Sequence, residues 1–350
     1  MIENRKEEHI NIAESKVVSP DHNFWDDIRF LHQAVPEIDF DKIETEIRFL
    51  GKESKHPLLI SSMTGGTERA REINRNLARA AETFGIGLGV GSMRVAVEKR
   101  ELTDTFSVVN DYNARYRIAN IGAPQLIDQE KKAFDDSKID YLFHLINADF
   151  LAVHFNFLQE MIQPEGDHNG KGVLKRLAEV AGSYPVIVKE TGNGFSREAA
   201  LEFLDAGVKA IDVGGLSGTS FAAIEFYRAE KASDEEKMRS GRTFWDWGIP
   251  SPASIRYCSV GLPVIGSGGL RNGLDLARAI AMGAEMGGFA RTLLTGADTS
   301  HDAIEAEIRQ IVRDLKIAMF LTSSGNVQEL RKARMVIADP LKGWMDVYGK

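Results

Sequence analysis

Short apolar runs alternate with helix-patterned segments along most of the chain. The runs are Leu58–Ser62, Ile86–Val90, Arg117–Ile121, Phe150–His154, Val186–Lys189, Ala210–Val213, Pro263–Gly266 and Glu285–Phe289. Several are almost continuously apolar, the pattern of strands buried on both faces of a parallel sheet. The intervening segments carry helical spacing: over Arg69–Phe84, residues Ile73, Leu77, Ala80, Ala81 and Phe84 fall on one stripe. Eight such units at intervals of roughly 25–35 residues predict a closed (β/α)8 TIM barrel rather than an open doubly wound sheet.

Around this barrel, taken as residues 58–325, the pattern sets an N-terminal arm over 1–57 and a C-terminal extension over 326–350. The arm mixes polar turns with Phe24, Trp25, Phe30, Phe40 and Phe49, and is expected to cover the barrel mouth. The longest interval, between Val213 and Pro263, holds the charged stretch Ala229–Arg242 and then Trp245–Pro250. It reads as a helix, an exposed loop and a second short helix. After Ser300 a long amphipathic helix is expected.

Composition narrows the class. With 350 residues and 43% hydrophobic content the chain can build a large core, which excludes disorder. Lys and Arg number 43 against 51 Asp and Glu, a net charge of −8, so a nucleic-acid partner is not expected. The single cysteine, Cys258, rules out an intramolecular disulfide and fits a reducing compartment. Residues 1–10 lack an apolar signal region, and no stretch reaches the ~18 apolar residues of a membrane span. The expectation is a cytoplasmic enzyme with no membrane partner.

Function in such barrels gathers at the C-terminal ends of the strands. There the sequence places Ser61–Thr67, Gly89–Arg94, Ala119–Pro124, His154–Glu160, Lys189–Gly194, Asp212–Thr219, Gly266–Arg271 and Gly287–Arg291, all with glycines or ligand-type polar residues. Glycines let backbone approach a ligand, and successive N–H groups at a helix start hold a phosphate. Gly268, Gly269 and the Ala290–Arg291 pair are therefore candidates for a cofactor phosphate; tight turns alone are the alternative. Lys189 ends a buried run and needs a partner, either the ring of a flavin or a neighbouring acid. Asn120 and the Met63–Thr64 pair could meet the flavin edge.

His154 and Asn156 share a face of an extended strand end, and Gln159 and Glu160 are expected on the loop after it. One carboxylate among neutral polar groups suits Mg²⁺, which keeps waters and takes other ligands from substrate phosphates. Singly, Glu160 also fits a surface carboxylate and His154 a core histidine. Arg5 and Lys6 read either as a solvated end or as a basic clip over the mouth that Arg94 would join.

Arg5–Ile10, Met63–Thr67, Gly89–Arg94, Gln159–Glu160 with Gln163–Gly166, Val188–Gly194, Trp247–Pro250 and Gly266–Arg271 together closely resemble the type 2 isopentenyl-diphosphate delta-isomerases, in order from about residue 5 to about 325. The resemblance implies FMN, Mg²⁺ and reduction by NADPH. It implies FMN contacts at Met63, Thr64, Ser92, Asn120, Lys189, Thr219, Gly268, Gly269, Ala290 and Arg291. Arg5, Lys6, Arg94, His154, Asn156 and Gln159 would hold the prenyl diphosphate substrate, and Glu160 the Mg²⁺. The implied reaction is a 1,3-allylic proton shift between isopentenyl and dimethylallyl diphosphate. The chain offers no strong acid–base pair beside the apolar end of such a substrate, a gap reduced flavin would fill, with Gln159 and His154 as the protein's own catalytic candidates. Members of the family form tetramers or octamers, so a homo-oligomer is expected. The rival is an FMN-dependent oxidoreductase of the hydroxy-acid oxidase or dehydrogenase type, which needs a histidine near the flavin or a reactive cysteine. Cys258, in Ile255–Val260, looks structural.

Overall fold

The computed structural model describes residues 2–348, with side chains from residue 5. Residues 1, 349 and 350, at the tips of the expected arm and extension, lie outside the described residues. Eight parallel strands close a barrel: β1 (Leu58–Ile60), β2 (Gly87–Gly89), β3 (Arg117–Gly122), β4 (Phe150–Phe155), β5 (Val186–Glu190), β6 (Ala210–Asp212), β7 (Val264–Ser267) and β8 (Met286–Phe289). Each falls on one of the eight apolar runs. The ring closes where Gly287 of β8 pairs with Leu58 of β1.

The helices wrap the ring with their apolar stripes inward. In the helix Glu68–Phe84, Thr67 Oγ1 accepts from the N–H of Ala70 at 3.1 Å, and Gly85 ends the helix. Ile73 and Leu77, on its inner stripe, are fully buried, a contribution of about 1.5–3 kcal/mol each.

The barrel interior is filled from below. Phe49, at the end of Ile47–Phe49, packs with Tyr116 and Phe150 (ring centroids 6.0 and 6.2 Å), and inward side chains such as Leu59, Ile118, Ile187 and Ile265 complete the plug. Tyr116 lies so close to β2 that a Cβ at Gly87 would meet its ring at 2.1 Å. The segment before the barrel thus reaches both ends, not the mouth alone. The helix Ile2–Ser15 and Ser19–Asn23 stand at the mouth, while Phe49 plugs the floor. Ile28–Phe30 pairs antiparallel with Met335–Ile337, which ties the arm to the extension.

Two local expectations are corrected. The stretch Ala229–Arg242 is not an exposed loop: Phe221–Ala232 and Glu235–Thr243 are two packed helices, followed by Ser251–Cys258. Gln159 and Glu160 sit on a short helix, Phe157–Ile162, which carries Glu160 inward to 5% exposure. The long amphipathic helix expected after Ser300 is present as His301–Phe320, and a separate helix, Arg291–Thr299, precedes it with its start at the mouth.

Candidate active site

The strand ends and the helix Ile2–Ser15 enclose one cavity of about 620 Å³, within the range of small-molecule and cofactor sites. Every residue the sequence singled out for a ligand lines it: Arg5, Lys6, Met63, Thr64, Ser92, Arg94, Asn120, His154, Asn156, Gln159, Glu160, Lys189, Thr219, Gly268, Gly269, Ala290 and Arg291.

The wall built by the ends of β7 and β8 is an anion cradle. Gly268 and Gly269 hold φ of +94° and +80°, and Cβ atoms there would strike Gly215 O at 2.3 Å and Ser217 O at 2.1 Å. Only glycine backbone fits. Beside them Ala290 starts the helix Arg291–Thr299 with no side-chain cap, so its first N–H groups are left to a ligand. Arg291 reaches back to Ser19, Nη1 donating to Oγ at 3.0 Å. These features fit the phosphate of FMN.

On the cavity floor Lys189 Nζ donates to Asp212 Oδ2 at 2.8 Å, and Ser267 Oγ donates to Asp212 Oδ1. The buried cation therefore already has an acid partner, and its ammonium still borders the cavity. His154 lies next to it in the ladder. Asn120 Nδ2 donates to Val90 O at 3.1 Å, which fixes the amide so that Asn120 Oδ1 accepts from His154 Nδ1 at 2.8 Å. Burial, with the charge of Lys189, pushes His154 down to about 4, so the ring is neutral and carries its proton on Nδ1.

The facing wall is polar and mutually braced. Asn156 Nδ2 donates to Glu160 Oε1 at 2.9 Å and to Gln159 Oε1 at 3.1 Å. Glu160 Oε2 accepts from Gln163 Nε2 and from the Asp167 N–H at 2.8 Å. Burial nonetheless raises the Glu160 carboxyl. Asn156 Oδ1 is buried without a partner. An unpaired amide oxygen beside one carboxylate is a hard-oxygen donor set that fits Mg²⁺ completed by waters and phosphate oxygens. Among the described residues no group of three His, Cys, Asp or Glu side chains could cage a metal by itself.

Above this wall sits the basic clip. Lys6 Nζ donates to Ser92 O at 2.9 Å, and burial together with the charge of Arg5 brings Lys6 down to about 7. Arg5 Nη1 is 3.5 Å from Gln163 Oε1 and 3.6 Å from Glu165. Arg94 is already committed to Asp167 at 2.9 Å and Glu98 at 3.1 Å, so its charge is shared with two carboxylates.

Two groups escaped the sequence reading. Glu225, 1% exposed on the helix Phe221–Ala232, accepts from Gln159 Nε2 at 3.0 Å and Arg228 Nη1 at 2.6 Å, and stands 3.1 Å from His9 Nε2. Burial would raise its carboxyl, but His9 and Arg228 hold it low. Glu190, beside Lys189, lines the cavity and accepts backbone N–H groups of Thr191 and Gly194 at 2.6 and 3.1 Å. Neither stood out, because each is one acid among many. Cys258 is buried on the helix Ser251–Cys258 and its thiol is pushed up to about 12, an inert core group.

A closed barrel with glycine turns suited to a phosphate after β7 and β8 and a lysine at the C-terminal end of β5 has the arrangement of the FMN-dependent (β/α)8 class. The profile of the FMN-dependent dehydrogenase family matches residues 251–337, the part that carries the cradle. A mandelate oxidase variant bearing an FMN monooxide adduct superposes with a TM-score of 0.62 at 15% identity, over 95% of this chain and 92% of that one; this likeness shows the fold alone. Isopentenyl-diphosphate delta-isomerase of Picrophilus torridus is 65% identical over 99% of this chain and 100% of its own length. That of Thermoplasma volcanium is 60% identical over 99% and 100%. The chain belongs to the isopentenyl-diphosphate delta-isomerase family. No helix among the described residues is long and apolar enough to cross a membrane.

Proposed function

We propose that the protein interconverts isopentenyl and dimethylallyl diphosphate by a 1,3-allylic proton shift, using reduced FMN, Mg²⁺ and NADPH as the reductant of the flavin. The observation that carries this reading is the two-sided cavity: an anion cradle at Gly268, Gly269 and Ala290 faces a cationic clip at Arg5 and Lys6 across a single space. One side suits a cofactor phosphate, the other a substrate diphosphate. Met63, Thr64, Ser92, Asn120, Thr219 and Arg291 complete the flavin side.

When bound, reduced flavin would supply a proton-exchanging nitrogen and an electron-rich ring for the allylic shift. The chain's own residues then orient and brace. Lys189, paired with Asp212, would offer a tempered positive charge to the cofactor ring. Arg5, Lys6 and Arg94 neutralise the diphosphate, with Glu160 and Asn156 Oδ1 available to its Mg²⁺. Gln159, its amide fixed between Asn156 and Glu225, presents a defined face to the reacting carbons. His154, neutral, offers Nε2 to a proton or a phosphate OH. The proposal extends to a homo-oligomeric, cytoplasmic enzyme.

The test is anaerobic incubation with FMN, NADPH, Mg²⁺ and isopentenyl diphosphate, with product followed by NMR. Appearance of dimethylallyl diphosphate is the expected result. A flavin-loaded protein that leaves the alkene untouched defeats the reading.

A further inference from the structure

The segment Ser19–Asp27 touches the anion cradle from outside the barrel. Trp25 Nε1 donates to Gly268 O at 2.8 Å, and Ser251 Oγ donates to the same oxygen at 2.8 Å. Arg271 at the end of β7 clasps Asp26, Nη2 to Oδ1 at 2.6 Å and Nη1 to Oδ2 at 3.0 Å. Arg291, at the start of the cradle helix, donates to Ser19 Oγ.

The carbonyl of Gly268 and the N–H of Gly269 belong to one planar peptide and point in opposite directions. Two donors holding the carbonyl therefore fix the heading of the N–H. Gly268 and Gly269 have no side chains, and both sit at positive φ, so their peptides would otherwise turn with little resistance. A pre-set donor costs a ligand less ordering than one that must be frozen on binding.

We propose that Trp25 is a positioning residue for the cofactor phosphate: the N-terminal arm sets the Gly268–Gly269 peptide, so FMN binding and docking of the arm are one coupled event. This rests on the FMN reading above. It follows that the helix bearing Arg5 and Lys6, joined to this segment, is held at the mouth more firmly when the phosphate is bound. The flavin thereby prepares the substrate clip on the opposite wall.

The test separates the phosphate from the ring. Apoprotein is titrated with FMN and with riboflavin, which lacks the phosphate, by flavin fluorescence. Trp25 is fully buried, so the variant is Trp25→Phe, which keeps an aromatic ring at the cost of a small cavity and removes the N–H. The FMN Kd should rise roughly tenfold while the riboflavin Kd stays within about twofold. Equal losses for both ligands, or no loss for either, overturn the proposal. A second measurement needs no variant: FMN, but not riboflavin at equal saturation, should protect residues 16–27 of the wild-type chain from limited proteolysis. Equal protection by both also overturns it. A wild-type chain that binds neither flavin defeats the FMN reading itself, which keeps the two failures distinct.

Discussion

Lys189 and Asp212 are register partners on β5 and β6, and their side chains meet as an ion pair, Nζ to Oδ2 at 2.8 Å, at the C-terminal ends of the strands beneath the cavity. Asp212 is 3% exposed, and the lysine end is mostly buried. The pairing is thus built into the ladder and does not await a ligand. Removing one member leaves the other charge unpaired in a low-dielectric site, which costs about 3–5 kcal/mol. Lys189→Met should destabilise the protein by about that much in urea denaturation. Adding Asp212→Asn to it should restore a large part, since the orphaned charge is then gone. Additive losses in the double variant would mean the pair carries no coupling.

Glu190 gives the protein a pH-dependent stability of definite sign. Burial pushes its carboxyl up to about 8, although the N–H groups of Asn193, Thr191, Gly192 and Gly194 favour the anion, against an ordinary value of 4.5. A folded value above the unfolded one means the native state holds its proton longer. The stability from that proton is full below pH 4.5 and is lost as pH rises through 8. Between these limits the wild type should lose ground to Glu190→Gln, by at most about 1.4 kcal/mol per pH unit. Denaturation of both at pH 5, 6.5 and 8 measures the slope, and parallel curves would refute it.

The eight strands were legible because both faces of a barrel strand are buried, so each becomes a short apolar run that ends where polarity returns. The cradle was legible for a related reason: Gly268 and Gly269 occupy backbone conformations that few other residues adopt. What the sequence hid depends on tertiary placement. Phe49 looks like any aromatic residue of a polar segment until the hairpin Ile47–Ser54 folds it into the barrel floor. Glu225 lies in a helix whose Glu and Lys residues read as a solvated face, and only packing against Gln159, His9 and Arg228 buries it. The stretch Ala229–Arg242 misled in the opposite direction. Its charges suggest a loop, yet Asp234 caps a helix there, accepting from the Lys237 N–H at 3.1 Å.

Glu160 tests the metal. Its oxygens already accept from Asn156, Gln163 and the Asp167 N–H, so Glu160→Gln exchanges a carboxylate for an amide of equal size. The variant should fold, and should lose Mg²⁺-dependent turnover by two or more orders of magnitude, on the order of a lost metal contribution of several kcal/mol. Isothermal titration with Mg²⁺ and a non-reacting diphosphate should show the matching loss of metal binding. Unchanged turnover would remove Glu160 from the metal site.

Glu225 orients Gln159. Its Oε1 accepts from Gln159 Nε2, which turns Gln159 Oε1 toward Asn156 Nδ2. Glu225→Gln leaves an amide that can offer either a donor or an acceptor, so the Gln159 side chain loses its fixed sense. The expected outcome is a fall in kcat of roughly 10²-fold with a smaller change in KM, since the proposed reading leaves Arg5, Lys6 and Arg94 to neutralise the diphosphate. A KM effect without a kcat effect would assign Glu225 to the basic clip, through His9 and Arg228, instead.

Lys6, as part of the proposed clip, should link diphosphate binding to protons. Burial and the charge of Arg5 bring its ammonium down to about 7, and its Nζ hydrogen-bonds Ser92 O. Above pH 7 the free protein therefore holds Lys6 largely neutral. A diphosphate beside it supplies the opposite charge and restores the proton. Binding should then take up a proton, increasingly so as pH rises from 7 to 8.5, and affinity should weaken over the same range. Calorimetry of a diphosphate ligand in buffers of different ionisation enthalpy measures the uptake directly. Lys6→Arg, which stays charged throughout, should abolish the uptake attributable to this residue while retaining most of the affinity. If the variant and the wild type take up protons equally at pH 8, the linkage belongs to another group.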